Sequence, residues 1–369
     1  MPFILFFVTI LTAATFTPSN ARTEQVVSDQ VYMGVDHIIS LSHSTADIEP
    51  ELLSDLIDFV SSIPPDVGSP LRKRDDAQGA FYKFTIQGDL SRILDYVYNP
   101  NVPGYVAMPS SLHTQQWVTP ETLLELENLP KKLEARGMPY VLRGQDSETI
   151  TPDINTGAYY KYDQDRLVAS FPGPRGPVLV SVSSQTKKSE VGKKGCVAGD
   201  DKNWSYLFSD KVGLSKAGLG WVSSYMYSAE SMIIYVVDSL SGVIHIGVFK
   251  WLDAGWATMN MVKSDHILTG IKRFASDFTR VLESPDLPAP TVIAAKHRQL
   301  QESSEQSLQQ AVLPYLQGLV SSGTSGDCSG RFNSLLSSGK YLQKMGHEEM
   351  VKILMLEYLK DSLHEQPII

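Results

Sequence analysis

Between residues 264 and 283 the apolar side chains Ile267, Leu268, Ile271, Phe274, Ala275, Phe278, Val281 and Leu282 recur at steps of one and three. That spacing keeps them on one stripe of a long amphipathic helix. Upstream, residues 231–237 (Ser-Met-Ile-Ile-Tyr-Val-Val) and 243–251 (Val-Ile-His-Ile-Gly-Val-Phe-Lys-Trp) are rich in β-branched and aromatic residues and are joined by Asp238-Ser-Leu-Ser-Gly242. They predict two adjacent strands with a tight turn. The helical stripe needs an apolar surface to cover, and these strands supply it. A sheet packed on a long helix is also a place where small apolar ligands are held.

Elsewhere the pattern predicts a helix over residues 49–63, a strand over 80–86, a helix over 90–98 stopped by Asn99-Pro100, and a strand over 108–118. A helix follows over 120–138, from Pro120 to Gly137, then a short strand over 140–143. Residues 66–78 read as a charged loop, and 144–157 as turn-rich. Two more strands, 166–171 and 178–184, flank the rigid turn 172–177. Residues 185–215 read as a long loop. Past the Pro-rich boundary 283–290, helices are expected over 292–320, interrupted by Pro314, and over 346–364.

The chain has 369 residues, 42% apolar and 20% charged, as expected of a folded globular protein. Its net charge of −9 argues against nucleic acid as the main partner. An apolar run at residues 3–14, then Ser19-Asn20-Ala21, predicts a cleaved export signal over residues 1–21. No later stretch has the apolar length of a membrane helix, so a periplasmic or secreted protein without an integral span is expected. Cys196 and Cys328 are the two cysteines, and an oxidising compartment allows a bridge between them or two unpaired thiols.

The segment 81–105, Phe-Tyr-Lys-Phe-Thr-Ile-Gln-Gly-Asp-Leu-Ser-Arg-Ile-Leu-Asp-Tyr-Val-Tyr-Asn-Pro-Asn-Val-Pro-Gly-Tyr, resembles the opening strand, short helix and proline corner of the START-like helix-grip superfamily. Residues 231–283 resemble its closing strands and helix. The resemblance implies an α+β fold in which a curved antiparallel sheet grips a long amphipathic helix, followed here by a C-terminal helical appendage. The division it suggests is a segment 22–79, a helix-grip domain 80–288 and a helical tail 289–369. It implies a cavity for lipid-like or other apolar molecules, but no reaction.

Trp221, Tyr225 and Tyr227, with Trp251, Trp256 and Met259, concentrate aromatic and Met side chains just before the helix, and are candidate lining of an apolar pocket. Lys250, Asn260 and His245 are candidate polar anchors, and strict alternation places His245 and Lys250 on opposite strand faces. Lys193 and Lys194, in a Gly-framed stretch, are candidates for an anionic headgroup. His37, His43, Asp36 and Asp47 match no established metal-site spacing, and no Gly-x-Ser-x-Gly elbow occurs. No cofactor is expected. The leading expectation is a carrier of an apolar or amphipathic small molecule. The alternatives are an enzyme using the same cavity, with His245, Asp200 or Asp253 as general base, or an envelope assembly component meeting a protein partner through residues 292–364.

Overall fold

A computed structural model describes residues 27–134, 139–198, 201–216, 220–321, 334–336 and 338–368. Strands β1 (Val67–Arg74), β2 (Ala77–Gln87), β3 (Leu112–Trp117), β4 (Tyr140–Ile150), β6 (Lys161–Pro172), β7 (Pro177–Gln185), β12 (Ser224–Asp238), β13 (Val243–Trp256) and the two-residue β14 (Met259–Asn260) form a nine-stranded antiparallel sheet. Its order is β1-β2-β13-β12-β7-β6-β4-β3, with β14 on the end of β13. A smaller sheet pairs β5 (Ala158–Tyr159), β8 (Lys193–Val197) and β9 (Tyr206–Val212), and β10 (Leu214–Lys216) pairs with β11 (Gly220–Val222). The fold class is α+β.

Both faces of the large sheet are covered. On one lie α1 (Asp29–Leu41), started by the Ser28 hydroxyl accepting from Val31 N–H, and α2 (Ser54–Ser62). Val31, Val35, Ile38, Leu56, Ile57 and Val60 meet Phe81, Val178, Val180, Met232, Ile234 and Phe249 in a closed apolar layer. Gly247 permits this approach, since a Cβ there would stand 2.8 Å from Val60 Cγ2. Phe81 stacks between Phe59 and Phe249 at ring distances of 5.2 and 4.6 Å.

On the other face α5 (Ser264–Leu282) packs along β1, β2 and β13, burying Ile267, Ile271, Phe274, Phe278 and Val281 as its periodicity predicts. Phe84 meets Phe274 and Phe278 edge-on at 6.0 and 6.1 Å. The same apolar layer takes in α3 (Leu90–Val97), α4 (Pro120–Glu134), α6 (Pro290–Gln301), α7 (Glu305–Ser321) and α8 (His347–Ser362). The C-terminal helices thus share a core with the sheet instead of standing apart.

Several expectations need correction. Residues 66–78 are not a loop: β1 is an edge strand whose outward side chains are charged, which hides its alternation, and an edge tolerates Pro70. Residues 144–150 continue β4, and 185–215 hold β8 and β9, because short strands closing a second small sheet carry little local signal. Helix α1 occupies a stretch read only for its histidines. Gly137 and the expected signal over residues 1–21 lie outside the described residues. Among the described residues no helix is long and apolar enough to cross a membrane.

Candidate functional site

Strand alternation sends every second side chain toward α5. Register then fixes one row across the sheet: Gly144 in β4, Arg166 in β6, Ser183 in β7, Ser231 in β12, Lys250 in β13 and Ala80 in β2. Two cations are therefore separated by two serines on a floor of small residues. Strands spaced by about 4.8 Å put Lys250 and Ser183 roughly 10 Å apart.

These are central strands of the sheet, with α5 packed over β1, β2 and β13 at one end of the row. Ser183, Ser231, Ile233, Lys250 and Leu252 are nonetheless only half-buried. Arg166 and Glu148 lie deep within the protein yet each keep 14% of their side-chain surface. The α5-side face therefore keeps a strip of accessible surface along this row. Beyond Lys250, its apolar flank is Tyr160, Tyr162, Met226 and Ala254 with half-buried Ile150, Ala229, Leu252 and Val262.

The polar side of the floor is tightly organised. Arg166 Nε donates to Asp146 Oδ2 at 3.0 Å and its Nη2 to Glu148 Oε1 at 2.6 Å. Gln115 Nε2 donates to Asp146 Oδ2 at 2.6 Å, and Tyr162 Oη to Glu148 Oε2 at 3.2 Å. Burial works against the Arg166 charge, but Asp146 and Glu148 outweigh it and raise its pKa. Glu148 is pushed up by burial, with Asp146 adding to it and Arg166 and Lys250 opposing. Lys250 is pulled down by burial and by Arg273, against the pull of Glu148.

Of the residues singled out from sequence, only Lys250 stands on this floor. His245 alternates onto the α2 face, where burial and then Lys83 hold its pKa down. Trp251 also faces that side, donating Nε1 to Arg72 O at 2.7 Å beneath the Arg74 guanidinium, so it lines no pocket near α5. Neighbours along a strand point to opposite faces, and Lys250 and Trp251 accordingly cannot line one cavity. Asn260 closes the β13–β14 turn, donating to Asp76 O at 2.7 Å and accepting from Val262 N, which uses it structurally. Met259 is 48% exposed, and Trp256 is half-buried at the end of β13. Tyr225 and Tyr227 pack on each other at 6.1 Å, with Lys188 4.1 Å above the Tyr225 ring. The side chain of Trp221, and Asp200, lie outside what is described. Asp253 sits beside Asp76 at the β1–β2 turn, its pKa raised by burial and that neighbour.

Lys193 and Lys194 belong to strand β8, not to a loop, with Lys193 3.8 Å from Asp210 and Lys194 donating to Thr156 O at 3.4 Å. Asp36 is engaged by Arg74, and His37 Nε2 accepts from Glu49 N. Cys196 is disulfide-bonded, while Cys328 lies outside the described residues.

Arg166, Asp146, Glu148, Ser183 and Ser231 escaped the sequence reading because the pairing of β4, β6, β7 and β12, far apart in sequence, assembles them. The available signal was a Ser heading the apolar run 231–237 and a charged pair two residues apart in β4. A second cleft, between β9, α7 and α8 and lined by His113, Tyr206, Phe208, Tyr315, Glu349 and Lys352, holds about 10 Å³. That is room for about one water. Compared with protein-family models and with curated proteins, the chain matches none.

Proposed function

We propose that this protein binds an amphipathic small molecule in a hollow between the sheet floor and α5, as an exported carrier of START-like helix-grip type. The observation that carries the reading is the accessible surface kept by Ser183, Ser231, Ile233, Lys250 and Leu252 in the middle of a sheet covered on both faces. A polar floor beside an apolar flank suits a molecule with one polar end. The strand order and the placement of α5 support the helix-grip reading, and the disulfide at Cys196 supports an oxidising compartment.

Native mass spectrometry of protein purified from its own host tests this, followed by organic extraction of the released molecule. The expected result is a one-to-one adduct, lost in Ser231→Phe, whose ring fills the hollow while the melting transition is kept. Folded wild-type protein that shows only its own mass and takes up no member of a mixed lipid set would overturn the proposal.

A further inference from the structure

The interior lysines differ in one respect. Lys83 donates to Ile63 O at 2.5 Å, Lys352 to Leu112 O at 2.9 Å, and Lys360 to Glu357 and, at 3.5 Å, to Ser205 Oγ. Each buried ammonium is thus given a protein acceptor, as burial demands. Lys250 has no hydrogen bond or ion pair to any described residue, and its side chain keeps accessible surface instead of being sealed. Glu148, the carboxylate whose charge acts on it, is already engaged by Arg166, Tyr162 and Gln115. The hydroxyls of Ser231 and Ser183, next in the same row, likewise have no partner among the described residues.

We propose that Lys250, assisted by Ser231 and Ser183, receives the carboxylate of an amphipathic monocarboxylic acid whose chain lies along Leu252, Ala254, Met226 and Val262. The inference rests on the carrier reading above and specifies its ligand class. An ammonium has three donors and needs an anionic or carbonyl acceptor. Among the described residues, the Lys250 ammonium and two neighbouring hydroxyls match a single carboxylate. A phosphate would require several strong donors, and the guanidiniums nearest Lys250 are committed, Arg166 to Asp146 and Glu148 and Arg273 to Asp201.

The test is titration of the full chain with oleic acid and with oleyl alcohol, which share a chain and differ in the head. Wild type should bind the acid about tenfold or more tighter, the scale of a charge-assisted hydrogen bond in a partly dry site. Lys250→Met should bind the two equally, while Lys250→Arg should keep the preference; Lys250→Gln serves in place of the Met variant if that fails to fold. Equal wild-type affinity for acid and alcohol, or a preference that survives Lys250→Met, overturns the head-group assignment and leaves the carrier reading standing. Binding of neither molecule, nor of any lipid in the mixed set, overturns both.

Discussion

The two faces of the large sheet are built from alternate residues of the same strands and solve opposite problems. Toward α1 and α2, β12 and β13 present Met232, Ile234, Val236, Phe249 and Trp251, all nearly inaccessible. Toward α5 the interleaved residues are Ser231, Ile233, Lys250 and Leu252, which keep accessible surface. On the α5 side close packing covers one end of these strands, where Tyr235, Ile244, Ile246 and Val248 are buried, and stops short of Ser231, Lys250 and Leu252. The sealed side supplies the apolar burial that holds the strands in register, and that rigidity lets the other side carry charge and accessible polar groups at that end.

The largest effects should separate the faces by their pH dependence. Phe81→Ala removes a ring packed between Phe59 and Phe249 and should cost about 3–5 kcal/mol. Arg166→Met leaves Asp146 and Glu148 buried without their cation and should also cost about 3–5 kcal/mol at neutral pH. In that variant Glu148, already pushed up by burial, loses the opposing pull of Arg166, and its folded pKa lies above its unfolded one. The folded state then binds more protons, so stability is regained as pH falls toward the unfolded carboxyl value of about 4. Urea denaturation between neutral and mildly acid pH should show the Arg166→Met deficit shrinking and the Phe81→Ala deficit unchanged. Equal behaviour of the two would mean that the charge cluster contributes only as packing volume.

Legibility in the sequence follows the same division. The helix Ser264–Leu282 and the strands that carry Ile233 and Val248 were readable because a helical or alternating stripe is a local property. Alternation sets Lys250 and His245 on opposite faces, so the two do not anchor one site. Trp251 was misread because a cluster of aromatics in sequence is split by that alternation into two clusters in space. The row around Lys250 could not be read, since Ser231, Ser183 and Arg166 join it only through pairings of β6, β7, β12 and β13. Edge strand β1 failed for another reason: with one neighbour and an outward charged row, its pattern is that of a surface loop.

A middle-sized effect comes from Gly247. A Cβ there would press on Val60 Cγ2 at 2.8 Å and on Ile234 Cγ2 at 3.2 Å, so Gly247→Ala should cost about 1–3 kcal/mol, read from the urea midpoint. Helix α2 cannot retreat freely, because Lys83 ties Ile63 O at its C-terminal end.

The smallest effect is the sharpest test of the comparison. Ser231→Val on β12 adds bulk to the α5 face, beside Lys250 on the neighbouring strand. On a sealed face such an addition would force neighbours apart; over a hollow it meets open space and exchanges an unpaired hydroxyl for a β-branched side chain that suits a strand. The change in stability should stay within about 0.5 kcal/mol. A loss as large as that of Gly247→Ala would show that the floor is closed by packing, and the accessible surface at Ser231 would then be a local gap rather than part of a binding site. If stability holds while binding of an apolar fluorophore falls, the two faces differ as their side chains indicate: one is filled for stability, and the other is kept open for a ligand.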